Sequence, residues 1–231
     1  MGSLQPTTRE VPTRRGPARV HLHCAGTAGA VIVLGHGAGR GSDSADLQVI
    51  ARELPAGGTT VVLVEQPWVV AGRRVAAPAK HLDEAWIEVI AWLRAQGLIS
   101  SGRLITGGRS TGARVACRTA LAVDAQVLLL LAFPLIPPAA RKDPQQAATA
   151  REVRMTEWAL VGDRPVVLAQ GDRDPFGTAP AIAAALAGAG LAATALVSVP
   201  GADHSLLARA GSAALVDQQL IAAAQAAVQL V

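Results

Sequence analysis

The sequence predicts an α/β fold built on a mostly parallel, doubly wound sheet, and three observations lead there. Apolar runs of strand length alternate with longer helical patterns along nearly the whole chain. Two of these runs, Val31-Ile32-Val33-Leu34 and Val127-Leu128-Leu129-Leu130-Leu131, are continuously apolar, as a strand covered on both faces requires. Hydrophobic residues make up 51% of the 231 positions and charged residues 16%, a balance suited to helices packed on both sides of a sheet and not to disorder.

The first 17 residues carry Pro6, Pro12, Gly16 and Pro17 among polar and basic side chains, without periodicity, and predict a flexible arm. Residues 18–231 then form one domain, a common size for a single α/β unit. Strands are expected at 19–23, 30–34, 59–64, 103–106, 126–132, 166–169 and 194–199. Helices are expected at 44–53, 82–96, 111–122, 179–187 and 213–230. The uncharged stretch 181–199 is mostly alanine and is interrupted by Gly188 and Gly190, so it reads as a helix followed by a strand and not as a membrane span. Between Phe133 and Pro165 the connection has room for one helix, too little for a large lid.

Composition narrows the function. The net charge of +4 comes from scattered arginines, since Lys80 and Lys142 are the only lysines, and aromatics are 3%. Nucleic-acid binding needs clustered charge and stacking surfaces, so it is not expected. Cys24 and Cys117 have no metal-ligand spacing and are expected to be buried thiols in a reducing compartment. The N-terminus has no apolar signal region, and Pro6 stands where a myristoylation signal needs Ser or Thr. A cytoplasmic protein without membrane attachment is expected.

In a doubly wound sheet, ligands bind beyond the carboxyl ends of the strands, so chemically useful residues should follow strands. Gly108-Arg109-Ser110-Thr111-Gly112 does so, between the strand at 103–106 and a helix. This G-x-S-x-G reads as a nucleophile elbow: a turn so tight that the serine hydroxyl projects, with flanking glycines making room for neighbouring backbone. A serine needs a base, usually a histidine oriented by a carboxylate. Asp172 and Asp174 follow the strand at 166–169, and His204 follows the strand at 194–199, which completes the order Ser, Asp, His. Asp174 is preferred because it lies far enough past its strand to turn toward the histidine, with Asp172 in reserve. Asp203 suits a turn, and His21, His23 and His81 read as surface or structural residues.

A tetrahedral intermediate also needs two backbone donors, and Thr111 and Ala38 are the candidates. Ala38 lies in Gly35-His36-Gly37-Ala38-Gly39, just after a strand. A nucleotide loop there is disfavoured, because the glycines do not complete G-x-G-x-x-G and no Lys-Ser/Thr pair follows. Cys117, two turns into the helix after the elbow, suits core packing better than nucleophilic attack. No metal or organic cofactor is expected, since the histidines lack ligand spacing and acyl transfer needs neither. Arg40, Arg109 and one of Arg73 or Arg74 follow strand ends and are expected to border the entrance, which would favour an anionic ester.

Taken together, Leu34-Gly35-His36-Gly37-Ala38-Gly39, Gly107-Gly108-Arg109-Ser110-Thr111-Gly112-Ala113-Arg114, Gln170-Gly171-Asp172-Arg173-Asp174-Pro175-Phe176-Gly177 and Asp203-His204-Ser205 resemble the dienelactone-hydrolase-like part of the α/β-hydrolase superfamily. More narrowly, they are similar to the branch containing testis-expressed protein 30 and subunit 3 of the non-specific lethal complex. The resemblance spans about residues 19–230. It implies an α/β-hydrolase fold, a Ser110–Asp174–His204 triad, and hydrolysis of a small carboxylic ester, thioester or lactone. The chain departs from that branch with Thr111 for methionine, Ala113 for glycine and Gln66-Pro67-Trp68 for Phe-Pro-Tyr, the last bearing on the acyl pocket. A non-catalytic interaction module with the same fold is the competing reading.

Overall fold

The computed structural model describes residues 6–26, 29–39, 41–100, 102–207 and 213–231. Eight strands form one sheet: β1 (Thr7–Val11), β2 (Ala18–His23), β3 (Val31–Gly35), β4 (Thr60–Glu65), β5 (Leu104–Arg109), β6 (Val127–Leu131), β7 (Val166–Gly171) and β8 (Ala195–Val199). Their order is β1-β2-β4-β3-β5-β6-β7-β8. β2 pairs antiparallel with β1 and β4, and every other neighbouring pair is parallel. The helices are α1 (Ala45–Glu53), α2 (Pro67–Val70), α3 (Ala79–Ala95), α4 (Thr111–Thr119), α5 (Pro144–Ala159), α6 (Ala179–Gly188) and α7 (Ala213–Val228).

The continuous apolar runs split between two cores, because successive side chains of a strand point to opposite faces. Val31, Val33, Leu128 and Leu130 face a core closed by Trp86 and Leu93 of α3, Ala116 of α4 and Trp158 of α5. Ile32, Leu34, Leu129 and Leu131 face a second core closed by Leu47 and Ile50 of α1 and Leu220 and Ala224 of α7. With both faces covered, alternation disappears from the sequence, as in other buried parallel sheets.

Three expectations need correction. Residues 1–17 are not simply a flexible arm, because Thr7–Val11 is the edge strand β1, in register with β2 from Thr7 opposite Leu22 to Val11 opposite Ala18. Of its five residues only Val11 is buried, so no apolar alternation marks it. Ion pairs from Arg14 to Glu88 and from Arg15 to Glu84 then fasten the following turn to α3. Cys24 is exposed, because it follows the last paired residue of β2; Cys117 is buried, and loss of solvent pushes its thiol up. α3 begins three residues before the expected boundary, after Pro78, whose fixed φ suits the position before a first turn.

The connection from β6 to β7 contains a short 3-10 turn and α5, without a separate lid. Asp143 caps α5, its carboxylate accepting from the backbone N–H groups of Gln145 (2.8 Å) and Gln146 (3.3 Å), and Pro144 starts the helix. Phe133, just after β6, meets Trp158 of α5 edge-to-face at 5.2 Å, which presses the helix onto the sheet.

Removing residues 1–11 tests the role of β1. Loss of its ladder and of buried Val11 is expected to cost about 2 kcal/mol and to lower the thermal midpoint by roughly 4–8 °C. An unchanged melting curve would mean that the strand contributes nothing.

Candidate active site

The site grows from one close approach of backbones. β5 ends in Gly107-Gly108-Arg109, and Ser110 leads directly into α4. A Cβ on Gly108, whose φ is +147°, would lie 2.2 Å from the Gly35 carbonyl oxygen, and one on Gly112 would lie 2.3 Å from the same atom. Both glycines of the motif are therefore required by the end of β3, over which the first turn of α4 passes. Ser110, compressed between them, has φ 52° and ψ −105°. Such a conformation costs about 1–3 kcal/mol and persists only where the surroundings enforce it. Here the Ser110 N–H donates to the Leu131 carbonyl of β6 at 2.9 Å, which locks the turn to the sheet.

Asp174 and His204 reach the same spot from the next two strand ends. Asp174, 3% exposed, lies three residues past β7. The Phe176 N–H donates to its Oδ1 at 2.7 Å, and Gln170 Nε2 donates to its Oδ2 at 2.8 Å. The loop after β8 lies close over β7, where a Cβ on Gly171 would sit 2.4 Å from the Ala202 carbonyl oxygen. It presents His204 with Nδ1 2.8 Å from Asp174 Oδ2 and Nε2 2.9 Å from Ser110 Oγ. A carboxylate can only accept, so Nδ1 carries the proton and Nε2 is free to accept from the serine. The Phe176 ring stacks on the imidazole, with centroids 3.8 Å apart and planes 20° apart.

The other acids fall elsewhere. Asp172 is exposed and accepts the Gly201 N–H at 2.8 Å, which braces the histidine loop. Asp203 accepts the Ser205 N–H at 2.8 Å, the turn role expected of it. Thr111 opens α4, directly after Ser110. Ala38 lies in the exposed tip of the loop after β3, next to Gly37, where a Cβ would stand 3.6 Å from Ser110 Cβ. His36 holds that loop: it accepts the Gln66 N–H on Nε2 (3.1 Å), so Nδ1 donates to the Gly37 carbonyl at 2.8 Å.

Of the entrance arginines, Arg40 lies outside the described residues. Arg73 and Arg74 are exposed and line an open cavity of about 590 Å³ with Trp68 and His81. Arg109 is not at the entrance. Its side chain is buried between the loop after β3 and the histidine loop, donating from Nη2 to the His204 carbonyl at 3.0 Å, because the strand's alternation turns it inward while Ser110 turns out. Gln170 and Phe176 carry no chemical signature of their own in the sequence, one being inside an apolar strand and the other an aromatic after a proline. Among the described residues, no group of three or more His, Cys, Asp or Glu side chains is arranged to hold a metal ion. No described helix is long and apolar enough to cross a membrane.

The chain belongs to the α/β-hydrolase domain family, whose sequence model matches residues 28–231. Comparison with curated proteins returns no match. Among solved structures, it is similar to a serine hydrolase without a lid from Xanthomonas campestris (TM-score 0.68, 21% identity, covering 98% of this chain and 96% of that one). It is also similar to a dienelactone hydrolase from Anabaena variabilis (TM-score 0.71, 19% identity, 99% and 97% covered). A serine hydrolase homologue from Coxiella burnetii aligns as well (TM-score 0.71, 14% identity, 96% and 99% covered).

The loop carrying Ala38 is tethered through Glu65 at the end of β4, which accepts from Ser42 Oγ at 2.9 Å. His21, and beyond it Ser42 and Arg19, hold the Glu65 carboxyl down at about 2 from an ordinary 4.5, against the opposing effect of burial. Because this value is depressed, the stabilisation is complete above the ordinary range and drains away as pH falls from about 4.5 toward 2. Urea midpoints across that window should fall less steeply for Glu65→Gln than for the unaltered protein, and parallel profiles would refute the linkage.

Proposed function

We propose that this protein is a serine hydrolase that cleaves a small carboxylic ester, thioester or lactone through an acyl-enzyme intermediate. The observation that carries this reading is the continuous hydrogen-bonded chain Ser110 Oγ, His204 Nε2, His204 Nδ1, Asp174 Oδ2, with contacts of 2.9 and 2.8 Å and the serine in a strained elbow.

In this reading Ser110 Oγ attacks the substrate carbonyl carbon as its proton passes to His204 Nε2. Asp174 holds the imidazole in the productive tautomer and stabilises its positive form. The carbonyl π pair moves onto oxygen, where the backbone N–H groups of Thr111 and Ala38 receive the charge. Collapse of that intermediate expels the leaving group, which takes the proton from His204, and water repeats the sequence to free the acid and restore Ser110. The absence of a separate lid fits a site open to water-soluble substrates.

A small cavity bordered by His36, Gln66, Trp68, Trp86 and Thr111 adjoins the elbow. It is narrow, with Trp68 and Trp86 in its wall, which favours short acyl chains. With Arg109 buried, Arg73 and Arg74 are the described entrance candidates on which a preference for anionic esters would rest. Membership of the branch containing testis-expressed protein 30 is supported by the four motifs, with Gln66 and Trp68 as this chain's own departures in the pocket wall.

A fluorophosphonate probe tests the proposal. Rapid labelling is expected and should vanish in Ser110→Ala; labelling that survives there would move the nucleophile elsewhere, and no labelling of the unaltered protein would favour an interaction module. Asp174→Asn should lower kcat by about 10⁴-fold through the wrong imidazole tautomer. In a series of nitrophenyl esters, kcat/KM should peak at acetyl or propionyl. A maximum at octanoyl would remove the short-acyl assignment. Equal kcat/KM for matched neutral and carboxylate-bearing esters at low salt would remove the role of Arg73 and Arg74.

A further inference from the structure

We infer that Arg109 is a positioning residue whose buried guanidinium, held by Asp46, sets the His204 loop against the serine elbow. This assignment rests on the hydrolase reading above and names a part of its machinery that the Ser–His–Asp chain does not include.

Arg109 immediately precedes Ser110, yet its side chain is only 8% exposed. Its Nη2 donates to the main-chain carbonyl of His204 at 3.0 Å, across 95 positions of sequence. Among the described residues, no other hydrogen bond reaches the His204 main chain. The Nε stands 3.4 Å from Oδ2 of Asp46, whose side chain on α1 is fully buried. On a third side is the loop expected to bind the oxyanion, packed so closely that a Cβ on Gly37 would come within 2.9 Å of Nη1. One planar group thus meets α1, the oxyanion loop and the histidine loop, and it is covalently next to the residue that those loops must face.

A purely structural role is a poor explanation for this arrangement. Desolvating a carboxylate and a guanidinium is costly, and well-packed apolar residues commonly hold a fold as well as a buried ion pair does. Burial pushes the Asp46 carboxyl up, against the pull of the Arg109 charge, so this pair works against its own solvation penalty. What an apolar pair cannot supply is a donor to the His204 carbonyl. The imidazole must stay within hydrogen-bond reach of Ser110 Oγ, and a misplacement of about 1 Å costs on the order of 100-fold in rate. The planar fork of an arginine fixes the direction of the donor to the carbonyl relative to the charge beside Asp46, whereas a lysine ammonium is a compact point charge on a flexible stem that does not set that direction.

The test separates position from stability. Arg109→Met alone leaves Asp46 buried without its partner and should lower the melting temperature. The double variant R109M/D46L removes both buried charges, so its melting temperature should return toward that of the unaltered protein. Its fluorophosphonate labelling should nevertheless remain about 100-fold slower. Arg109→Lys should melt near the unaltered protein and label roughly tenfold more slowly, and it decides the question if the double variant does not fold. Labelling of a folded double variant, or of R109K, at the unaltered rate would overturn the assignment. A crystal structure of the same variant gives a readout independent of activity. The assignment predicts His204 Nε2 beyond hydrogen-bond reach of Ser110 Oγ, and an unchanged contact refutes it even if the unaltered protein never labels, which would instead count against the hydrolase reading.

Discussion

At Gly35 three backbones come together with no side chain between them. The last residue of β3 lies against Gly108 on the adjacent strand and against Gly112 in the first turn of α4, each so close that a single added carbon would overlap the Gly35 carbonyl. That contact forces the chain to reverse between β5 and α4 within one residue, and Ser110 takes up the strain. A relaxed elbow would let the hydroxyl swing away, and the histidine and aspartate loops would then have nothing to converge on. The cost is met by the sheet, where five neighbouring pairs are parallel and both faces are covered by helices, so the backbone there has little freedom to give way.

The surroundings show the same division between rigid support and a poised group. Asp174 accepts from Gln170 and Phe176 as well as from His204, so its orientation is set before the imidazole arrives. The stacked Phe176 ring keeps the imidazole in the plane that joins its two partners. On the opposite side, His36 and the Ser42–Glu65 contact hold the loop of Ala38 to the end of β4. Farther back, Glu157 of α5 binds Arg114 and Arg118 of α4, with Nη2 of Arg114 at 2.7 Å and Nη1 of Arg118 at 2.9 Å, so the helix behind the elbow is braced as well. Burial alone would raise the Glu157 carboxyl, but the Arg114 bond and the surrounding guanidinium charges hold it below its usual range.

Arg109 is an internal strut and not an entrance residue. An arginine after a strand reads in sequence as a candidate for substrate contact, because charge at a strand end is usually exposed. Arg109 instead faces inward, where Asp46 and a main-chain carbonyl await it. Among the described residues, Arg73 and Arg74 line the cavity beside Trp68, and Arg141 and Arg151 line another that reaches Asp174 and Phe176.

The strand ends, the elbow and the residues Ser110, Asp174 and His204 were legible in the sequence because each rests on local chemistry. Continuous apolar runs need two covered faces, a glycine pair around a serine needs a tight reversal, and a carboxylate or imidazole just past a strand stands at the ligand-binding edge of the sheet. β1 was not legible, since a single buried valine makes no pattern and its pairing with β2 is a relation between segments. Nor were Gln170 and Phe176, whose contacts with Asp174 depend on how the loop after β7 folds back, or Asp46 and the inward turn of Arg109, whose partners lie tens of residues away. Sequence by itself determined which residue types stand at the ends of which strands. Only the tertiary structure decided which side chains meet, because hydrogen bonds of 2.8–3.0 Å between distant segments depend on how helices and loops pack across the sheet.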